Sequence, residues 1–125
     1  MNKKTVVVCD DNSALTGLMQ HLLRKQGFSV LTAENGSEAL EQIRSSRPHL
    51  LLLDLAMPGT DGLAVLEALK TGPSPRPYTI VVSAQEGQYG RERALALGSD
   101  EVWRKPFNAA ELLGRIESLI AKGTI

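Results

Sequence analysis

The sequence predicts an α/β fold in which a doubly wound, five-stranded parallel sheet is covered by five helices. Short apolar runs, typical of strands buried on both faces, alternate with segments of helical periodicity. Parallel strands need crossover connections, and helices in those connections cover both faces of the sheet. Because 125 residues is an ordinary size for one domain, we expect a single domain over residues 1–125.

Five segments have the composition of buried strands. Each is rich in β-branched residues or leucine, and each is bounded by turn or charged residues. The predicted strands are Thr5–Cys9, Phe28–Leu31, Leu50–Leu53, Thr79–Val82 and Glu101–Trp103.

The first and last helices are marked by long apolar stripes with helical spacing. Asn12 or Ser13 can cap the first helix and Asn108 the last, and Gly27 stands where the first helix needs a left-handed C-terminal residue. The stripes are Leu15, Leu18, Met19, Leu22 and Leu23 in the first helix, and Leu112, Leu113, Ile116, Leu119 and Ile120 in the last.

The three middle helices have shorter apolar patterns. One follows Asn35-Gly36, one follows Asp61-Gly62, and one ends near Gly98. Residues 71–77 are rich in glycine and proline and are predicted to form a loop.

The composition excludes several classes of function. Fourteen basic and fourteen acidic residues cancel, so no global field attracts nucleic acid or an anionic membrane. The single cysteine, Cys9, lies in an apolar run, which favours a core thiol over a disulfide. No run approaches the roughly 20 apolar residues of a membrane span. We therefore expect a cytoplasmic protein whose partners are proteins, with neither nucleic acid nor membrane bound directly.

Polar residues interrupt the apolar pattern where four of the predicted strands end. Asp10-Asp11 follows the first strand, Asp54 the third, Ser83 the fourth and Lys105 the fifth. In open parallel sheets the ligand crevice lies outside the carboxyl ends of the strands. The sequence therefore predicts that these side chains share one pocket.

The chemistry of that pocket favours phosphoryl transfer. Clustered carboxylates repel one another unless a cation neutralises them, and hard oxygen ligands suit Mg²⁺. A lysine ammonium and a serine hydroxyl are suited to hold phosphoryl oxygens. An Asp-Asp pair alone is more often a turn or helix cap, so the interpretation depends on Asp54 and Lys105 accompanying it.

Four motifs together resemble the receiver domain of bacterial two-component response regulators, from Val6 to Ile120. The resemblance implies a flavodoxin-like fold with strand order 2-1-3-4-5, similar to that of single-domain chemotaxis regulators. The motifs are Val-Cys-Asp10-Asp11, Leu-Leu-Leu-Asp54-Leu-Ala-Met57-Pro58-Gly-Thr-Asp61-Gly62, Val-Val-Ser83-Ala and Arg-Lys105-Pro106-Phe107.

The resemblance also implies a metal site. By analogy with similar proteins, Asp11, Asp54 and the backbone carbonyl of Ala56 ligate Mg²⁺ directly, and Asp10 acts through a bound water.

The same resemblance implies the phosphoryl chemistry. Asp54 is the expected nucleophile toward a phosphohistidine on a histidine kinase or phosphotransfer protein, while Ser83 and Lys105 hold the phosphoryl oxygens. The Lys105-Pro106 peptide bond is expected to be cis. The chain would be a phosphoacceptor rather than an enzyme, with output through a separate effector protein because no output module follows the last helix.

Several alternatives stay open from the sequence. The output can be a motor, a phosphorelay or a separately encoded effector. A magnesium-dependent aspartyl-phosphate phosphatase is the enzymatic alternative, but such enzymes carry a second aspartate where this chain has Ala56. A flavin- or nucleotide-binding module is a third, disfavoured because Asp10-Asp11 would repel a phosphate.

One position departs from the family pattern. Receivers commonly carry Tyr or Phe three residues before the active-site lysine, and this chain has Val102. Strand alternation places the adjacent Trp103 on the opposite face, so it cannot replace the missing ring. We expect activation to move the segment after Ser83 and the fourth helix more than the fifth strand.

Overall fold

The computed structural model describes residues 3–55, 62–72, 76–83 and 88–125, and within them five parallel strands form one sheet in the order β2-β1-β3-β4-β5. The predicted fold class and strand order are therefore confirmed. The strands are β1 (Thr5–Cys9), β2 (Ser29–Ala33), β3 (Leu50–Asp54), β4 (Tyr78–Ser83) and β5 (Glu101–Arg104), and the helices are α1 (Ser13–Lys25), α2 (Gly36–Ser46), α3 (Gly62–Thr71), α4 (Gln88–Ala96) and α5 (Ala109–Ala121).

Two apolar clusters cover the two faces of the sheet. Alternate residues of each strand contribute to opposite clusters, as a two-residue repeat requires. The α1/α5 cluster contains Leu50 and Leu52, and the α2/α3/α4 cluster contains Leu51 and Leu53. This two-sided burial explains why the strand sequences are almost continuously hydrophobic. No helix in the described part of the chain is long and apolar enough to cross a membrane.

Helix caps form at the predicted residues. The side chain of Asn12 accepts a hydrogen bond from the Leu15 amide at 3.2 Å. Asn108 does the same for the Glu111 amide at 3.1 Å. Gly27, after α1, has φ 99°, a left-handed conformation that glycine adopts without steric cost. These local interactions fix where α1 and α5 start and where α1 ends.

The predicted apolar stripes were too wide. Leu18 is 48% exposed and Ile120 is 37% exposed. On α1 the buried residues include Met19, and on α5 they include Leu119. Leu18 and Ile120 each lie one residue, or about 100° of helix rotation, from those buried neighbours. They therefore fall outside the arc that faces the sheet.

Several element boundaries also differ from the prediction. β3 and β5 each end one residue later, at Asp54 and Arg104, β4 is one residue longer at both ends, and β2 ends at Ala33 rather than Leu31. β2 begins at Ser29 rather than Phe28 because the Phe28 amide donates to the Leu23 carbonyl at 3.1 Å and closes the end of α1. The Ser29 amide makes the first bond to β1, donating to the Lys4 carbonyl at 2.9 Å. α3 continues through Thr71, so the predicted loop starts one residue later than expected.

Gly62 allows α3 to start directly beside the end of β3. Its amide donates to the Leu55 carbonyl at 3.0 Å. A Cβ at this position would lie 2.5 Å from the Asp54 carbonyl oxygen and 2.6 Å from Leu55 Cα. Both are backbone atoms that cannot rotate away, so only glycine permits this approach.

We predict that Gly62→Ala lowers the free energy of unfolding by about 1–3 kcal/mol, because overpacking would displace the backbone at the end of β3. Gly17→Ala is the matched control, since Gly17 is exposed on α1 with nothing near its would-be Cβ. That control should gain about 1 kcal/mol from helix propensity. Urea denaturation of both variants measures the difference, and equal stabilisation by the two substitutions would contradict the role given to Gly62.

Candidate functional site

The predicted site residues that the structure describes meet at the carboxyl edge of the sheet. Asp54 ends β3, and Asp10 directly follows β1. The register pairs Cys9 with Leu53, which places Asp10 and Asp54 side by side as the next residues along these parallel strands. The strand arrangement thus brings together carboxylates that are far apart in the sequence.

Asp10, Asp11 and Asp54 form a compact carboxylate cluster. One oxygen from each lies within 4.8 Å of the others. Asp10 is 4% exposed and Asp54 is 5% exposed, whereas Asp11 is open to solvent. Burying like charges this closely is unfavourable without a compensating cation. The cluster therefore requires positive charge nearby.

Lys105 supplies part of that charge. Its Nζ donates to Asp10 Oδ2 at 2.7 Å and lies 3.7 Å from Asp54 Oδ1. The other Asp10 oxygen, Oδ1, accepts from the Asn12 amide at 2.9 Å. Lys105 contacts two of the three carboxylates, so the three aspartates and this one lysine keep an excess of negative charge.

Ser83 stands beside Lys105 at the end of β4. The Ser83 carbonyl accepts from the Lys105 amide at 2.9 Å, which extends the pairing of β4 and β5 past Arg104. Ser83 is 5% exposed, and the Lys105-Pro106 bond is cis, as expected. The hydrogen bond between the Lys105 amide and the Ser83 carbonyl helps to fix the position of Lys105 relative to the carboxylates.

The donor set fits a hard divalent cation. Mg²⁺ prefers carboxylate and carbonyl oxygens, and it commonly keeps some of its waters. Asp10, Asp11 and Asp54 provide carboxylate oxygens at one place, with Asp11 on the solvent side. Ala56 lies outside the described residues, so its carbonyl as a ligand stays a prediction.

Cys9 lies under the cluster as a core residue. Burial raises the pKa of its thiol to about 12, and the neighbouring Asp10 and Asp54 carboxylates reinforce the shift. Its Sγ lies 3.5 Å from the Asn35 carbonyl, which it can donate to. A thiol that stays protonated is a poor nucleophile, which agrees with the predicted core role.

The sequence interpretation missed a second polar network, centred on Glu101. This carboxylate accepts from Tyr78 Oη at 2.6 Å, from Trp103 Nε1 at 3.0 Å and from Arg115 Nε at 2.8 Å. Burial disfavours the ionised form of Glu101, but these hydrogen bonds outweigh it and hold its pKa below the ordinary value. Burial raises the pKa of Tyr78 to about 12, and the hydrogen bond to Glu101 makes a smaller contribution in the same direction.

The Glu101 network includes Trp103, which is adjacent to Val102, the position where receivers commonly have an aromatic residue. Val102 packs against the α2/α3/α4 cluster and Trp103 against the α1/α5 cluster, which confirms that they face opposite sides of the sheet. The bond from the Trp103 indole to Glu101 holds the ring on the α5 side. Residues 84–87, where we expect the larger movement, lie outside the described residues.

Comparison with known proteins identifies the family. The model of the response regulator receiver domain family matches residues 6–117. The chain belongs to this family, whose members are the receiver domains of two-component response regulators.

Relatives agree with this assignment. The alkaline phosphatase synthesis transcriptional regulatory protein PhoP of Bacillus subtilis (strain 168) is 33% identical over 125 residues, covering 100% of this chain and 51% of that protein. The chain thus spans about half the length of that relative.

Solved structures show the same fold. A CheY-like receiver domain protein from Methanospirillum hungatei JF-1 is 26% identical, with a TM-score of 0.87 and coverage of 97% of this chain and 96% of that one. A signal receiver domain from Bermanella marisrubri is 31% identical, with a TM-score of 0.85 and coverage of 95% and 99%.

The charge excess at the cluster generates a prediction about metal binding. Mg²⁺ should stabilise the wild-type chain, by about 2.7 kcal/mol at a hundredfold excess over its Kd. Asp54→Asn should be more stable than wild type without Mg²⁺, because one repulsive charge is removed, and should gain much less from the ion. Thermal unfolding with and without Mg²⁺ measures both effects.

The matched control is Glu41→Gln, which removes one negative charge from an exposed position on α2. Its response to Mg²⁺ should equal that of the wild type. If Mg²⁺ stabilises Asp54→Asn as much as it stabilises the wild type, Asp54 is not a ligand of the ion.

Proposed function

We propose that this chain is a phosphorylation-activated signalling switch in which Asp54 accepts a phosphoryl group from a histidine kinase or a histidine phosphotransfer protein. The observation that carries the proposal is the position of Lys105, whose Nζ lies within 3.7 Å of the buried Asp54 carboxylate. Membership of the receiver family supports it.

In the proposed reaction an Asp54 carboxylate oxygen attacks the phosphorus of a phosphohistidine. The phosphorus–nitrogen bond breaks, and its electron pair returns to the imidazole of the donor. Lys105 and the Ser83 hydroxyl would stabilise the negative charge on the transferred oxygens, which is the main task of a protein in phosphoryl transfer. Lys105 Nζ bonds to Asp10 and lies 3.7 Å from Asp54 Oδ1, so a movement away from Asp10 would bring it to an oxygen of a phosphoryl group on Asp54.

A magnesium ion would supply charge neutralisation at the phosphoryl oxygens when bound. Asp10, Asp11 and Asp54 would hold it, with the Ala56 carbonyl as the further expected ligand. Lys105 would have a separate task, since its contacts with Asp10 and Asp54 offset the repulsion between these buried carboxylates when no phosphoryl group is present.

The chain would not be an enzyme acting on a separate substrate. Asp54 is itself modified, and the site assists only the formation and hydrolysis of its own aspartyl phosphate. The aspartyl-phosphate phosphatase alternative is less well supported, because alanine at position 56 has no acid or base to offer.

The output would pass to a separate effector protein in the cytoplasm. The name of the PhoP relative describes a transcriptional regulator, and this chain spans 51% of that protein. A formal net charge of zero gives the chain no general attraction to nucleic acid or to an anionic membrane. Direct contact with either is therefore not part of the proposal.

Asp54→Asn should abolish magnesium-dependent labelling by acetyl phosphate or by a cognate kinase. Lys105→Ala should slow labelling by about 100-fold, the usual cost of one lost donor to a developing oxyanion. Intact mass spectrometry and phosphate-affinity electrophoresis measure the labelled fraction over time. Lys3→Ala is the control and should label at the wild-type rate, because this exposed lysine precedes β1 whereas Asp10 follows the other end of that strand. Undiminished labelling of Asp54→Asn would show that another residue is the acceptor.

A further inference from the structure

A cavity of about 670 Å³ lies at the opposite end of the sheet from the carboxylate cluster. Its walls include the ends of α2 and α3, where Arg44 and Leu69 lie, and the residues at the starts of β3 and β4, His49 and Tyr78. The volume is within the range of sites that bind small organic molecules.

This cavity is separate from the site of Asp54. His49 precedes β3 and Asp54 ends it. Five residues of extended strand span roughly 16 Å. A ligand in the cavity would therefore contact neither the carboxylates nor Lys105.

The lining combines an apolar floor with positive charge. Leu40, Ile43 and Leu69 contribute aliphatic surface, and Arg44 and Arg47 stand at the rim, both exposed. Arg76 also lines the cavity, but its guanidinium lies against Gly98. Among the residues that line this cavity there is no aspartate or glutamate side chain.

A simpler explanation for the arginines is electrostatic support of α2. Arg44 is in the last turn and Arg47 is the C-cap residue, where cations favour the negative end of the helix dipole. That explanation accounts for the two charges, but it does not account for the apolar cavity beside them. In the described part of the chain, neither guanidinium makes a hydrogen bond or an ion pair.

His49 is part of this wall. Its Nδ1 accepts from the Thr5 amide at 3.1 Å, so the ring proton is assigned to Nε2. The lining thus offers two guanidinium groups and an imidazole N–H together with aliphatic surface.

We propose that this cavity is a binding site for a small organic anion, one with an aliphatic or aromatic body and a single carboxylate or phosphate group. The body fills the apolar floor at Leu40, Ile43 and Leu69, and the anionic group pairs with Arg44 and Arg47. Guanidinium forks match carboxylate and phosphate oxygens in geometry as well as charge.

The test is a titration of the ¹⁵N-labelled chain, followed by NMR, in a buffer without magnesium or phosphate. The two probes are 4-phenylbutyrate and phenyl phosphate, and whichever binds more tightly identifies the anionic group. Inorganic phosphate represents the anionic group of the ligand alone, and benzyl alcohol represents its aromatic body alone. We expect amide shifts at Arg44, Arg47, His49 and Tyr78, no shifts at Asp54, and at least tenfold weaker binding of either half.

Variants test the role of the charges. Arg44→Gln with Arg47→Gln should weaken binding of the preferred probe at least tenfold. The matched control is Arg24→Gln with Lys25→Gln, which removes two cations from the last turn of α1 instead. Circular dichroism verifies that both variants are folded.

The proposal is overturned if neither probe shifts the cavity amides, if inorganic phosphate binds as tightly as phenyl phosphate, or if both double variants bind like the wild type. The wild-type titration alone decides the first two outcomes, so the test does not depend on the folding of any variant. Labelling of Asp54 is not used as a readout, so the result is independent of the proposed switch function.

Discussion

The ion pair between Lys105 Nζ and Asp10 Oδ2, at 2.7 Å, is the interaction on which the site depends. It brings a positive charge to two carboxylates that lie side by side and are almost fully buried, where like charges repel each other. The same ammonium reaches Asp54, so a single lysine links the end of β3 to the segments that follow β1 and β5. The ammonium group is thereby held close to the proposed nucleophile before any donor arrives.

The scaffold positions these groups through backbone constraints. The parallel register of β1 and β3 places Asp10 beside Asp54, and the bond from the Lys105 amide to the Ser83 carbonyl extends β5 toward them. Gly62 lets α3 begin against the backbone of Asp54. Two apolar clusters hold the sheet from both sides, so movement at the carboxyl edge has a rigid base. The Glu101 network and the cavity beside Arg44 and Arg47 lie at the amino-terminal edge of the sheet. They are therefore separate from the carboxylates at the carboxyl edge.

The fold and the carboxylate cluster could be predicted from sequence because each rests on a local pattern. Buried parallel strands have continuous apolar runs, and a polar residue that ends such a run falls at the ligand-binding edge of the sheet. The Glu101 network could not be predicted in this way, because Tyr78 and Arg115 are brought to Glu101 only by tertiary packing. The exposure of Leu18 was missed for a related reason, since the width of a buried helical arc depends on what packs against it.

The most direct test of the account is a crystal structure of the chain with Mg²⁺ and beryllofluoride, a mimic of the phosphoryl group. The account predicts beryllium bonded to an Asp54 carboxylate oxygen, Mg²⁺ among Asp10, Asp11 and Asp54, and Lys105 Nζ moved from Asp10 to a fluoride. A structure in which Lys105 stays on Asp10, or in which beryllofluoride is absent from Asp54 at saturating Mg²⁺, would contradict it.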